Sequence, residues 1–261
     1  MTMANRDLLD AVDALAVAAG AAILPFYTAF DPATDVTVKA DGSPVTAADE
    51  AAEAVILAGL ADLTPDIPVV AEESVAAGRV PDVADGPFWL VDPLDGTKEF
   101  IARRGSFTVN IALVEDTQPV LGVVFAPAMG DRFIGAKGLG AWTTCNGDAR
   151  EAIGVRDVPA DGVTVVASRS HGDGDRLDAF LADFTVAERT SIGSSLKFCL
   201  LAKGAADLYP RFGPTNEWDT AAGHAVLLAA GGRVDTTDAT PLRYGKPGFG
   251  NPAFIAYGGM T

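Results

Sequence analysis

One stretch constrains this chain more than any other: Trp89-Leu90-Val91-Asp92-Pro93-Leu94-Asp95-Gly96-Thr97-Lys98-Glu99-Phe100. Its apolar start reads as a buried strand that ends in two aspartates, then a glycine and a threonine. Carboxylates at a strand mouth, with a glycine to allow a tight bend behind them, make a hard-oxygen surface suited to Mg²⁺. Pro93 fixes its own φ and biases Asp92 toward an extended backbone, so both side chains should leave the chain at set angles. An ordinary Asp-Gly turn would explain the end of the motif but not its whole length.

With 261 residues the chain can bury a large core, as one big domain or two closely joined halves. A net charge of −16 argues against a nucleic-acid polymer as partner, because no basic face offsets the repulsion. A small anion would need local cations, and a bound divalent metal supplies them. Cys145 and Cys199 lie far apart with no CxxC or Cys/His cluster, which points to free thiols and away from zinc. The apolar stretch from Ala14 to Leu24 follows Asp7, Asp10 and Asp13, the wrong flank for a signal peptide. Its apolar positions recur at helical spacing, and no run approaches ~20 uninterrupted apolar residues, so an amphipathic first helix is expected rather than a membrane span. A cytoplasmic location follows as an expectation.

The first helix should run to about Leu24, where Pro25 stops it. A short strand is expected at 36–39, a turn at 41–44, and a helix from Ala47 to about Leu60 with Thr46 as N-cap and Asp49 in a capping-box position. Ile67 to Ala71 reads as a strand ending at Glu72-Glu73-Ser74. Apolar runs at 107–115 and 120–126 predict an antiparallel hairpin, and 132–136 with 140–142 extend it to a meander closed at Asn146-Gly147. The first half, 1–157, is thus two helices on a largely antiparallel sheet. The second half, 158–261, alternates: strands at 163–167, 185–189, 206–210 and 254–257, helices at 175–184, 194–202 and 220–230, an α/β layer.

Other elements carry chemistry. Asp219 reads as the N-cap of an alanine-rich helix, and one oxygen of such a cap remains free for a metal. Ser194, Ser195 and Lys197 open the preceding helix, where backbone N–H groups, hydroxyls and an ammonium suit phosphate. Ser168, Arg169 and His171 follow a strand, a usual place for ligand-touching loop residues.

Glu72-Glu73, Asp92-Pro93-Leu94-Asp95-Gly96-Thr97 and Trp218-Asp219-Thr220-Ala221-Ala222-Gly223 occur in the order found in the inositol monophosphatase family of Mg²⁺-dependent phosphomonoesterases, which the chain resembles along nearly its whole length. Lys39 to Asp49, Gly96 to Phe100, Ser168 to His171, Gly193 to Phe198 and Tyr209 to Pro214 are similar to the bacterial CysQ branch, the 3′(2′),5′-bisphosphate nucleotidases of sulfur metabolism. The resemblance implies a five-layer αβαβα sandwich, an α+β first half joined to an α/β second half. It implies that Glu72, Asp92 and the Leu94 carbonyl hold one Mg²⁺ and that Asp92, Asp95 and Asp219 hold a second, with Glu72 also touching a third, weaker ion. Mn²⁺ is a plausible substitute on the all-oxygen ligand set. Thr97, with Asp49 behind it, would orient the attacking water. Glu72 shares that catalytic role, and the Gly96 and Thr97 amides would meet the phosphate.

Adenosine 3′,5′-bisphosphate is the substrate so implied, cut to AMP and phosphate. Ser168, Arg169 and His171 are candidates near the nucleoside, and Lys197 and Arg211 for the phosphate that is not cut. An inositol-1-phosphate phosphatase and a catalytically silent nucleotide or metal sensor are the competing readings. Monomer and homodimer both stay open.

Overall fold

The computed structural model describes residues 2–31, 37–38, 44–83, 86–168 and 174–260. The turn expected at 41–43 and the candidate residues Arg169 and His171 lie outside them. In chain order the elements are α1 (Arg6–Ala29), β1 (Thr37–Val38), β2 (Pro44–Val45), α2 (Ala47–Leu63), β3 (Val69–Ala71), α3 (Glu72–Ala76), β4 (Phe88–Asp95) and α4 (Thr97–Ile101). The meander follows as β5 (Thr108–Glu115), β6 (Gln118–Ala126), β7 (Asp131–Ala136), β8 (Gly140–Cys145) and β9 (Glu151–Ile153). Then come β10 (Val163–Ala167), α5 (Gly174–Leu181), β11 (Val186–Ser191), α6 (Leu196–Ala202), β12 (Leu208–Arg211), α7 (Glu217–Ala229), β13 (Arg233–Thr236) and β14 (Phe254–Tyr257).

Two sheets organise the molecule. The larger runs β3-β4-β5-β6-β7-β8-β9, antiparallel except for the parallel β3–β4 pair. The smaller runs β11-β10-β12-β14-β13, with parallel pairs at β10 and antiparallel pairs at β14. Strand alternation sends successive side chains to opposite faces, and both sheets use both faces. Trp89, Val91, Ile111 and Leu113 pack against α1 and α2, whereas Phe88, Leu90, Ala112 and Val114 face α6 and α7. In the smaller sheet Val166, Tyr209, Phe254 and Ala256 meet that same central helix pair, while Val165, Leu208 and Ile255 meet Leu181 of α5. The layers are therefore helix, sheet, helix, sheet, helix. The α+β sandwich expected from the sequence is the fold observed.

The central layer is thin because the contact surfaces are small. A β-carbon on Gly122 of β6 would lie 2.3 Å from the Ala222 carbonyl oxygen and 2.7 Å from the Ala225 β-carbon. Any larger residue there would lift α7 off the sheet.

Several boundaries differ from expectation. Pro25 does not stop α1; the helix passes through it to Ala29. An internal proline costs about 3 kcal/mol or more. Here the last turn carries Tyr27, which meets Phe100 and Phe107 at 5.2 and 4.9 Å, and just beyond it Phe30 sits edge-on to Phe100. That aromatic cluster offsets the lost hydrogen bond. Among the described residues α1 is also the one helix long and apolar enough to cross a membrane. It buries Leu9, Val12, Ala16, Ala19 and Ile23 in the core, and its Asp13 pairs with Arg132 at 3.3 Å and Arg150 at 3.1 Å. Glu72 and Glu73, where β3 was expected to end, are the first turn of α3. The helix expected from Ser194 starts at Leu196, and β9 and β13 were not anticipated. Both cysteines are free, as expected, Cys145 exposed and Cys199 buried.

Candidate active site

The strand mouth singled out in the sequence opens into a cavity of about 290 Å³. Glu72, Asp92, Leu94, Asp95, Gly96, Thr97, Ser168, Ser194, Lys197, Arg211 and Asp219 all line it. Residues from six separated parts of the chain are thereby brought to one place.

Asp92 and Asp95 share a wall because β4 carries an extra residue. Asp92 pairs with Asn110 and Asp95 with Thr108, so three steps on β4 match two on β5. In a regular strand residues three apart point to opposite faces; the bulge resets the phase. Pro93 lies inside it, where a missing N–H costs no ladder bond. Gly96 then turns the chain with φ +92° and serves as N-cap of α4. Asp92 accepts from the Leu94 N–H at 3.0 Å, which bends the two aspartates toward each other.

Asp49 and Asp219 reach the site by the same local device. Thr46 and Asp49 form a capping box at the start of α2, as the sequence suggested. At the start of α7 the cap is Asn216, not Asp219; Asp219 is the third helical residue, and its Oδ2 accepts from the Asn216 N–H at 2.8 Å. The correction follows from helix geometry, since the acid that reaches back to the cap sits three residues inside. Asp49 Oδ2 accepts from the Thr46 N–H and hydroxyl at 2.9 and 2.7 Å, leaving Oδ1 3.5 Å from the Thr97 hydroxyl. The same hydroxyl is 3.5 Å from the Leu94 carbonyl.

The charge balance of this wall is lopsided. Asp92 is held well above the usual carboxylate range, by burial first and then by repulsion from Glu72, Asp95 and Asp219. Asp219 is raised likewise by burial and by Asp95. Burial lifts Asp95 to about 6, against the attraction of Lys197 and hydrogen bonds from Asn110 and the Ser195 backbone. Carboxylates so crowded, together with a backbone carbonyl at Leu94, are a donor set that fits a hard divalent cation and nothing softer. Among the described residues no group of three or more His, Cys, Asp or Glu side chains is drawn together closely enough to hold a metal ion, so these acids are grouped by the cavity they share and not by a closed coordination shell.

Two cations, Lys197 and Arg211, line the same cavity. Lys197 is buried and its Nζ donates to the Ser194 carbonyl at 2.6 Å and the Ile192 carbonyl at 3.3 Å. Burial pulls it down to about 8, opposed by Asp95. Arg211 donates Nε to the Gly213 carbonyl at 3.2 Å and Nη2 to the Pro214 carbonyl at 2.9 Å. Ser194 lines the cavity with a left-handed backbone, φ +48°. Ser195 does not line it. Its hydroxyl donates to the Asp219 carbonyl at 2.6 Å and accepts from Asn110 Nδ2 at 3.0 Å.

Asn110 was missed by sequence reasoning, although a signal existed. Thr108 and Asn110 are polar residues two apart in an otherwise apolar strand, hence on one face. They are fully buried; Thr108 donates to Asn110 Oδ1 at 3.0 Å, and Asn110 Nδ2 also lies 3.3 Å from Asp95. Glu53 and Glu217 are both buried and both accept from backbone N–H groups of another segment, for which an acid on a helix gives no comparable signal.

Residues 5–254 match the inositol monophosphatase family. The 3′(2′),5′-bisphosphate nucleotidase CysQ of Escherichia coli is 53% identical over 248 residues, 95% of this chain and 98% of that one. The solved structure of CysQ from Bacteroides thetaiotaomicron superposes with a TM-score of 0.79 at 40% identity, covering 96% of each chain. The inositol monophosphatase from Anabaena (Nostoc) gives 0.76 at 28% identity, covering 97% of this chain and 91% of that one. With the acid wall, the bulged strand and the two capping boxes in one fold, this chain belongs to the inositol monophosphatase family.

Proposed function

We propose that this protein is a 3′(2′),5′-bisphosphate nucleotidase that hydrolyses adenosine 3′,5′-bisphosphate to AMP and phosphate. The observation that carries the reading is the two-signed cavity: carboxylates and the cations Lys197 and Arg211 line one space. A substrate with one phosphate to cut and a second to hold uses both kinds of group. An inositol monophosphate leaves the cations without a second phosphate. The 53% identity to a nucleotidase supports the same choice.

The family is metal-dependent, and this site's donor chemistry agrees with Mg²⁺. Glu72, Asp92 and the Leu94 carbonyl would hold one ion, and Asp92, Asp95 and Asp219 a second, with Glu72 near a third. Such ions, when bound, make water more acidic and neutralise the attacking and leaving oxygens of an in-line displacement. The chain's own groups do the rest. Thr97 can donate its hydroxyl hydrogen to Asp49 and accept from a water with a free lone pair, which aims that water's oxygen at phosphorus. The Gly96 and Thr97 amides face the phosphate oxygens. The water oxygen bonds to phosphorus as the P–O bond to the ribose breaks; the water gives up a proton to solvent and the ribose oxygen takes one up from solvent, leaving AMP and phosphate. Lys197 and Arg211 hold the other phosphate, and Ser168, Arg169 and His171 are the residues we assign to nucleoside recognition. In this division of labour residues 1–157 bring most of the metal ligands, and 158–261 bring Asp219 and the selectivity. We place the enzyme in the cytoplasm.

Phosphate release from adenosine 3′,5′-bisphosphate and from inositol 1-phosphate, measured side by side with Mg²⁺, tests the reading. A clear preference for the bisphosphate is expected; a preference for the inositol ester would overturn it.

A further inference from the structure

We infer that Glu53 is a positioning residue for Glu72, acting through the first turn of α3; the inference rests on the metal-dependent reading above. Glu53 sits on α2 one turn beyond Asp49, is 3% exposed, and does not line the cavity. Its Oε2 accepts from the Glu73 N–H at 2.8 Å and its Oε1 from the Ser74 hydroxyl at 2.7 Å. α3 has no cap of its own: the N-cap residue is Ala71, with no side-chain hydrogen bond. A five-residue helix cannot nucleate or hold itself in water, and its first N–H groups need partners. Glu53 supplies the cap from another helix.

The bond matters because of where it falls. The Glu73 N–H belongs to the peptide that begins at the Glu72 carbonyl, so fixing it fixes the backbone on which the Glu72 carboxylate is carried. β3 leads into α3 with no intervening loop, and Arg79 Nη2 lies 3.2 Å from the Ser74 hydroxyl on the far side. One helix therefore serves the site twice, orienting Thr97 through Asp49 and Glu72 through Glu53.

The test compares wild type with Glu53→Ala, Glu53→Asp, Glu53→Gln and Asp92→Asn. The readouts are Mn²⁺ affinity of the substrate-free protein by calorimetry and the Mg²⁺ concentration for half-maximal turnover. Glu53→Ala and Glu53→Asp, which removes reach but keeps charge, should weaken both by about 10–100-fold, as loss of a group that orients a metal ligand does. KM for the bisphosphate at saturating Mg²⁺ should stay unchanged. Glu53→Gln should restore most of the affinity, because its amide oxygen still accepts from Glu73 and its NH₂ can donate to the Ser74 oxygen. If Glu53→Ala does not fold, Ser74→Ala decides, with a smaller loss in the same direction expected. A lower melting temperature with Mn²⁺ affinity intact in the folded variants would overturn the positioning role. Equal Mn²⁺ binding by wild type and Asp92→Asn would instead show that the metal reading itself has failed, and the inference with it.

Discussion

The N-termini of α2 and α7 are built alike and used differently. Each begins with a capping box whose third residue is an aspartate that returns one oxygen to the cap. At α2 the acid is buried, and its second oxygen lies within reach of a threonine hydroxyl. At α7 the acid lines the cavity among other carboxylates and is held well above its ordinary range. A capping box fixes the direction of a carboxylate. What stands opposite decides whether that carboxylate steers a hydroxyl or joins a cation site.

Replacing each acid with its amide breaks the comparison most directly. Asn keeps an oxygen for the cap in both places, so melting temperatures should change little, or rise at position 219 where repulsion is relieved. Turnover should separate them. Asp219→Asn should lose about a thousandfold or more, the several kcal/mol of charge stabilisation carried by a metal site. Asp49→Asn should lose about a hundredfold in kcat with KM unchanged, the scale for a misoriented reacting group. Equal losses at both positions would mean the two acids share one role.

The cations sharpen the contrast. Lys197→Ala should weaken binding of adenosine 3′,5′-bisphosphate by about 10–100-fold, the worth of a hydrogen bond to a charged group. Binding of AMP, which keeps the phosphate that is not cut, should fall by a similar factor. Titration of both nucleotides calorimetrically without divalent metal, in wild type and variant, checks this; a loss confined to the bisphosphate would place Lys197 at the cut phosphate.

The smallest effect concerns stability. α7, unlike α2, buries a titratable ring: His224 Nδ1 meets the Tyr244 hydroxyl at 2.9 Å, and burial, then Arg243, pulls its pKa down to about 3. In the unfolded chain it titrates near ~6.5. Its contribution to stability is therefore full above that value and is lost as pH falls toward 3. Between pH 6.5 and 5 the loss should be about 2 kcal/mol. His224→Gln should flatten this limb of the melting curve, measured by calorimetry across that range. An unchanged slope would show that the ring is not buried neutral.

Much of this was legible in the sequence for a physical reason. Alternation in β4 to β8 and the capping pair at Thr46 are short-range patterns that backbone geometry imposes; at α7 the acid was legible but its place was not, because Asn216 is the cap. Glu72, Asp92, Asp95 and Asp219 are each explicable alone as a loop, turn or cap residue, and they were legible as a set through the order they share with one family's motifs. Pro25 was misread because the proline penalty is local, whereas the compensation from Tyr27, Phe30 and Phe100 is tertiary. Ser195 looked like a phosphate ligand because its neighbour is one candidate; only the packing of Asn110 against it shows the hydroxyl turned to the Asp219 carbonyl. Glu53 and Glu217 were invisible because an acid on a helix is ordinarily solvated, and nothing local says that another segment's N–H groups will close over it.

The extra residue in β4 has a consequence for how such a site can change. Asp92 and Asp95 face the same way only because β4 and β5 are out of step by one. Side-chain substitution at Pro93 or Leu94 can adjust the angle between the two acids but cannot reverse it. Removing one residue between them would bring the strands back into step with the acids two apart, still on one face but without the bulge that sets their angle; removing both would make them adjacent and turn Asp95 toward the face that packs on α1 and α2. The geometry of the acid wall is in this sense counted rather than tuned: the number of residues between the two acids, more than their identity, decides which way each one faces.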